Sequence, residues 1–286
     1  MEERLFGKTG LKFPILSLGA QHIVDSDGCS EQEAAKLINY ALDHGVRYFD
    51  TAHWYSGGES EERLGKVAKR RRNEMWIATK TLDRSRQGSR KQLEESLRRL
   101  QTDHVDEWRM HYVSTFEELD TITSSGGALE TAVKARKEGL VRYISMSNHG
   151  NPQVQVKALD LFPFDSMLFP ASVLDHFILS FVGELVPLAR LKGTAVVGMK
   201  ALALGKLAHI YDRALHFAFS QPLDTIVVGA TSLEQLKKNL AIANSFKPMT
   251  DTEKLELFKD VLPMVVPGNV PWKAEEWGNS AKWLSR

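Results

Sequence analysis

Eight short apolar runs, each followed by a stretch of helical spacing, most restrict the folds open to this chain. They are "LSLG" ending at Gly19, then "VRYFD", "MWIATK", "VDEWRMH", "VRYISMSN", "FDSMLFP", "AVVGMK" and "DTIVVG". Between the first two lies "SEQEAAKLINYALDHG", with an N-cap at Ser30, apolar residues at helical spacing and a stop at Gly45. Strands alternating with helices indicate a parallel sheet covered on its faces. A doubly wound open sheet shares that rhythm. Eight strand candidates without a linker-like stretch argue for one TIM (β/α)8 barrel domain over residues 1–286. Ahead of it, "RLFGKTGLKFP" reads as a hairpin turning at residues 7–10. Behind it come an amphipathic helix at 250–262 and a tail carrying tryptophans. The segment "ELVPLARLKG" reads as one helix with an internal proline.

In such a barrel the chemistry gathers where strands hand over to loops at the C-terminal mouth. Those positions hold Asp50, with Tyr55 just after it, then Lys80, then His111. Singly, each has an ordinary explanation: a turn cap, rim packing, a solvated strand end, a satisfied core histidine. Together they form a proton-transfer device. A free phenol, with a pKa near ~10, is too weak an acid at neutral pH, and a nearby ammonium lowers that value. A carboxylate keeps the ammonium charged and oriented, and an imidazole polarises a carbonyl oxygen.

Composition removes several rival classes. The formal net charge is +1, so no global field calls for nucleic acid or an anionic membrane. The basic run at residues 69–72 sits at a helix C-terminus, where the dipole favours cations. A single cysteine, Cys29, leaves no intramolecular disulfide, cysteine-rich zinc site or iron–sulfur cluster. The opening "MEERLFGKTG" lacks the apolar core of a signal peptide, and no stretch approaches the ~18 apolar residues of a membrane span. A cytoplasmic protein is expected. A metal-dependent hydrolase would have to recruit His53, His111 and His149, yet no His-x-His or His-Glu-x-x-His spacing occurs, so no metal site is expected. No G-x-G-x-x-G follows the first strand, so any dinucleotide would bind without a Rossmann domain.

The stretches "FDTAHWYSGGESEERLG", "ATK" and "RMHY" follow one another in order, and with them the chain resembles the aldo-keto reductases, NAD(P)H-dependent enzymes on a TIM barrel. The resemblance runs from "RLFGKTGL" to "TSLEQLKKNL". It implies reduction of an aldehyde or ketone by hydride transfer. Tyr55 would be the proton donor, Lys80 would lower its pKa, Asp50 would pair with Lys80, and His111 would orient the carbonyl. "YISMSNHG" resembles the segment whose Ser147 and Asn148 bond the nicotinamide carboxamide. Two positions depart from the family pattern: Leu168 stands where many members have glutamine, and Met199 where they carry a stacking aromatic, with Lys200 beside it.

"ALALGKL" resembles the loop against the pyrophosphate, with Leu202 and Gly205 as matching positions. Gly229, Thr231, Ser232, Gln235 and Asn239 would line the adenosine end at a helix N-terminus. Lys238 is the cation available for a 2′-phosphate, so NADP is expected, with NAD as the alternative. The partner implied is a small carbonyl compound, sugar-like by weak preference, against Trp54 and Tyr112. Trp272, Asp175, His176 and Phe177 are further candidates for the mouth. A cofactor-binding regulatory barrel with little turnover is the alternative to an enzyme. The oligomeric state is not legible.

Overall fold

Local sequence starts most of the elements. In the computed structural model, which describes residues 1–273, strands β1 (Glu3–Leu5) and β2 (Lys12–Pro14) pair antiparallel across the expected turn. Eight further strands follow: β3 (Leu16–Gly19), β4 (Tyr48–Asp50), β5 (Trp76–Thr81), β6 (Val105–Met110), β7 (Val141–Ser147), β8 (Ser166–Pro170), β9 (Ala195–Met199) and β10 (Thr225–Gly229). All pair parallel in sequence order and β10 returns to β3, which closes the barrel. Closure leaves no free edge, so the strands can be short and still satisfy their backbone groups.

Helices α1 (Glu31–Asp43), α2 (Glu59–Arg71) and α3 (Arg86–Leu100) cover the first strands. They are followed by α4 (Phe116–Thr123), α5 (Ala128–Lys137), α6 (Pro152–Leu161), α7 (Phe181–Glu184), α8 (Val186–Lys192), α9 (Tyr211–Ser220), α10 (Leu233–Asn244) and α11 (Asp251–Val261). Capping sets the boundaries: Ser30 and Thr250 each form a capping box with the glutamate three residues on. Two details differ from the sequence reading. Between "VDEWRMH" and the helix "GALETAVKARKEG", where the sequence reads as a loop, lies a capped helix, α4. "ELVPLARLKG" is not one helix; the chain breaks at Leu185 and Pro187 lies in the first turn of α8, where its missing N–H costs no bond.

Inside the barrel the period of two decides what each strand offers. At the N-terminal end the inward residues are aromatic. Phe13 meets Phe6 edge-on at 5.1 Å and Trp76 at 5.0 Å, and Trp76 stacks on Tyr143 at 5.0 Å. This plug, sealed by the hairpin, closes one end. Above this plug the inward positions of β4, β6 and β7 turn polar, with Asp50, Glu107, Arg109 and Ser145. No described helix is long and apolar enough to cross a membrane.

Candidate active site

A cavity of about 500 Å³ opens at the C-terminal end of the strands, within the range of small-molecule sites. Asp50 closes β4, and the chain then turns through Tyr55 into α2. The glycine pair of the loop is explained here. Gly58 has φ +107°, and a Cβ on it would lie 2.3 Å from the Arg99 guanidinium carbon. Arg99 in turn donates to the His53 carbonyl at 2.7 Å, so α3 clamps the loop that carries Tyr55.

Lys80 near the end of β5 is buried and gives its ammonium protons to Asp50 Oδ1 at 2.5 Å, the Thr51 carbonyl at 2.7 Å and Tyr55 Oη at 3.1 Å. Because the phenol oxygen accepts from Lys80, its own O–H is left to point elsewhere. His111 follows β6 with its ring 5.9 Å from that of Tyr55. Trp54 Nε1 donates to His111 Nδ1 at 3.2 Å. Burial first, and then the charge of Lys80, hold His111 well below the ordinary imidazole range. A neutral ring that accepts at Nδ1 carries its proton on Nε2, which makes it a hydrogen-bond donor. Arg84 fixes this turn by donating to the carbonyls of His111 at 2.7 Å and Tyr112 at 3.0 Å.

The expected pKa relation needs correction. Burial, and then the charge of Asp50, push the Tyr55 phenol up, with Arg109 opposing. The Lys80 ammonium, 3.1 Å from the phenol oxygen, favours the phenolate, but burial outweighs it. Burial also lowers Lys80 to about 8, against the pull of Asp50. The phenol is therefore fully protonated here, the state a proton donor needs.

The sequence reading missed what lies beneath. Arg109, fully buried on β6, donates to Asp50 Oδ2, to Glu107, to Tyr48 Oη at 2.6 Å and to Ser145 Oγ at 3.0 Å. Glu107 also accepts from Tyr48 at 3.0 Å and from Ser166. The signal was present in "VDEWRMH": Glu107, Arg109 and His111 fall at every second position, so one inward face carries an acid, a base and an imidazole.

Of the remaining candidates, Trp54, Tyr112, Met199, Lys200, Leu202, Gly205, Gly229, Thr231 and Gln235 line the cavity together with Asp50, Tyr55 and His111. His149 and Leu82 join them unforeseen as wall residues. Others lie elsewhere. Ser147 Oγ accepts from the Tyr112 N–H at 2.9 Å, and the Asn148 amide bonds Gly150 and the Asn151 carbonyl; neither is among the residues lining the cavity. Leu168 packs in the barrel interior with Val197 and Val227. Asp175 is buried against Lys273 at 3.1 Å and Trp272 Nε1 at 2.9 Å, and His176 stacks on Phe258 at 4.8 Å. Asp175, His176 and Phe177 thus do not line the cavity; Asp175 holds the segment whose Trp272 lies under the cavity residue Lys200 at 5.3 Å. The tail beyond Lys273 is outside the described residues. His53 is drawn to Glu95 at 2.7 Å, away from His111 and His149.

The far end of the cavity suits a dinucleotide. Ser232 caps α10, whose first turn offers free N–H groups toward a phosphate. Gly205 has φ +87° and open space around it. Asn239 is buried with its Oδ1 bound to Tyr211 and its Nδ2 without a partner among the described residues, and it does not line the cavity. Lys238 does not line it either; it is paired with Asp212 at 2.9 Å over the Tyr211 ring.

With this geometry in hand, the chain matches a family model, "Aldo/keto reductase family", over residues 15–215. It is 28% identical to L-galactose dehydrogenase of Arabidopsis thaliana, with 95% of this chain and 97% of that protein aligned. With an uncharacterized oxidoreductase, YrpG, of Bacillus subtilis it shares 31% identity over 72% of this chain and 68% of the other. Among solved structures, the aldo-keto reductase AKR11C1 from Bacillus halodurans in its holo form superposes with a TM-score of 0.75 at 25% identity, covering 91% of this chain and 96% of the other.

Proposed function

The chain belongs to the aldo/keto reductase family, and from that premise we propose that it reduces an aldehyde or ketone to an alcohol with Tyr55 as the proton donor. The observation that carries this reading is the convergence of Lys80 Nζ on Tyr55 Oη at 3.1 Å, beside a His111 ring 5.9 Å from the phenol. A reduced nicotinamide dinucleotide, when bound, would supply the hydride. His111 Nε2–H and the Tyr55 O–H are the two donors that a carbonyl oxygen at the mouth would meet. As negative charge develops there, Tyr55 gives up its proton, and the Lys80 ammonium stabilises the phenolate left behind. Asp50 keeps Lys80 in place through its 2.5 Å contact.

We infer NADPH as the cofactor. Lys238 would meet a 2′-phosphate only by leaving Asp212, and both partners are half-exposed or more. An exposed pair of this kind is worth about 0–1 kcal/mol, less than the roughly 1.5–3 kcal/mol of a hydrogen bond to a charged group. For the substrate, Trp54, Tyr112 and His149 offer flat faces and polar edges that suit a small, sugar-like carbonyl compound, and a relative of similar length is named for L-galactose.

Single-turnover mixing of the NADPH complex with a panel of aldehydes and keto-sugars tests the reading. Loss of NADPH absorbance with at least one of them is expected. A complex that binds NADPH yet is oxidised by none would replace it with a cofactor-binding barrel without turnover.

A further inference from the structure

Asp50 has two carboxylate oxygens and two cations. Lys80 takes Oδ1 at 2.5 Å and Arg109 takes Oδ2. The two cations come from neighbouring strands and are register partners, Lys80 opposite Arg109. Like charges so placed repel unless an anion joins them. Asp50 is that anion, but it stands on β4, so the guanidinium must cross the barrel interior past β5. The β5 residue in register with both Asp50 and Glu107 is Ala78, whose methyl leaves the interior open for the crossing.

On its other side Arg109 is held by Glu107, Tyr48 and Ser145. Four of the five N–H donors of a rigid fork are thereby fixed. An apolar interior would be at least as stable as this buried network. Its geometry has a direct consequence for the site above it.

Resting on the carbonyl-reduction reading, we propose that Arg109 is a positioning residue: it grips Oδ2 of Asp50 and leaves Oδ1 alone to steer the Lys80 ammonium onto Tyr55 Oη. Sharing has a second effect. A carboxylate divided between two cations holds each less firmly. Lys80 faces Asp50 and Tyr55 from the β4 side and Arg109, Glu107 and His111 from β6. Beyond these stand His149 after β7 and Lys200 after β9, whose charges also bear on this cluster. Burial lowers Lys80 to about 8, Asp50 opposes, and Arg109 adds to the lowering. Below that pH Lys80 is charged and oriented; above it the ammonium is lost and the steering of Tyr55 with it, so the rate falls as pH rises through about 8.

The test uses full-length protein labelled with 13Cε-lysine, the Lys80 resonance being assigned by Lys80→Met. Glu107→Gln and Arg109→Gln are combined, because removing Arg109 alone strands a buried carboxylate. In the double variant the Lys80 titration midpoint should rise, because losing the lowering by Arg109 outweighs losing the smaller raising by Glu107, and the alkaline limb of kcat should follow it. Arg109→Lys, which keeps the charge but loses the fork, should leave the midpoint near wild type and lower kcat about tenfold or more. An unmoved midpoint in the double variant overturns the proposal. Should that variant not fold, Arg109→Lys decides, and an unchanged kcat overturns it. A midpoint that moves in an enzyme that reduces no carbonyl upholds the positioning of Lys80 while removing the carbonyl-reduction reading.

Discussion

At the N-terminal end of the barrel, Phe6, Phe13, Tyr48 and Trp76 close ring against ring beneath the hairpin. At the C-terminal end the same strands present Asp50, Lys80 and His111 to a cavity of about 500 Å³. Backbone strain is divided as unequally as polarity. Of the described non-glycine residues with positive φ, all but Gln101 (Ser56, Tyr112, Leu179, Lys200, Ala203 and Leu204) lie in loops that follow strands at the mouth. One end is built for stability, with rings in ordinary packing. The other holds strained backbone and buried charge, both of which cost free energy and persist where the surroundings fix them. Between the two, the Arg109–Glu107 layer is attached to both: Trp76 Nε1 reaches Glu107 from below at 3.4 Å, and Asp50 takes Arg109 from above.

If that division is right, the two ends fail differently when altered. Tyr55→Phe at the mouth should lower turnover by roughly 10²–10⁴-fold, with NADPH affinity and the denaturation midpoint near wild type. A large loss of stability would show the phenol to be a packing residue. At the base, Phe13→Ala should cost about 3–5 kcal/mol in denaturant unfolding and leave kcat of the folded fraction unchanged; a loss of activity without a loss of stability would erase the distinction. Within the mouth, Lys238→Met sharpens the picture by separating the adenosine end from the reacting end. It should weaken NADPH about tenfold relative to NADH, the difference between a charge-assisted bond and an exposed ion pair, measured by fluorescence titration with both. Ser232→Ala removes the cap that accepts from the Gln235 N–H at 3.2 Å and should cost about 1 kcal/mol of stability, the smallest of these effects.

The sequence made some of this legible for a definite reason. Asp50, Lys80 and His111 each end an apolar run with a residue type too polar to bury without partners, so their places on successive strands could be read from the alternation alone. Arg109 and Glu107 were hidden in the same kind of run because their partners, Tyr48, Asp50 and Ser166, lie on other strands and become neighbours only on closure. Ser147 and Asn148 had suitable chemistry, but the direction of a side chain after a strand is set by the loop; the Tyr112 N–H and the Asn151 carbonyl claimed them. Lys238 was judged by its charge, and Asp212 on α9 supplied a partner that no spacing announced. The opening alternation was enough to place the strands and helices, since helix caps and strand ends are local properties, whereas closure of the sheet and who shares a carboxylate are not.

Whether Tyr55 and its neighbours serve carbonyl reduction is tested most directly with NADPH deuterated at nicotinamide C4, on one face and then on the other, together with a reactive aldehyde. The account predicts that one of the two labels appears on the carbinol carbon of the alcohol with the native enzyme, and that Tyr55→Phe slows its appearance by at least about 10²-fold. An alcohol free of deuterium from both labels, or equal rates of transfer in the native enzyme and the variant, would contradict it.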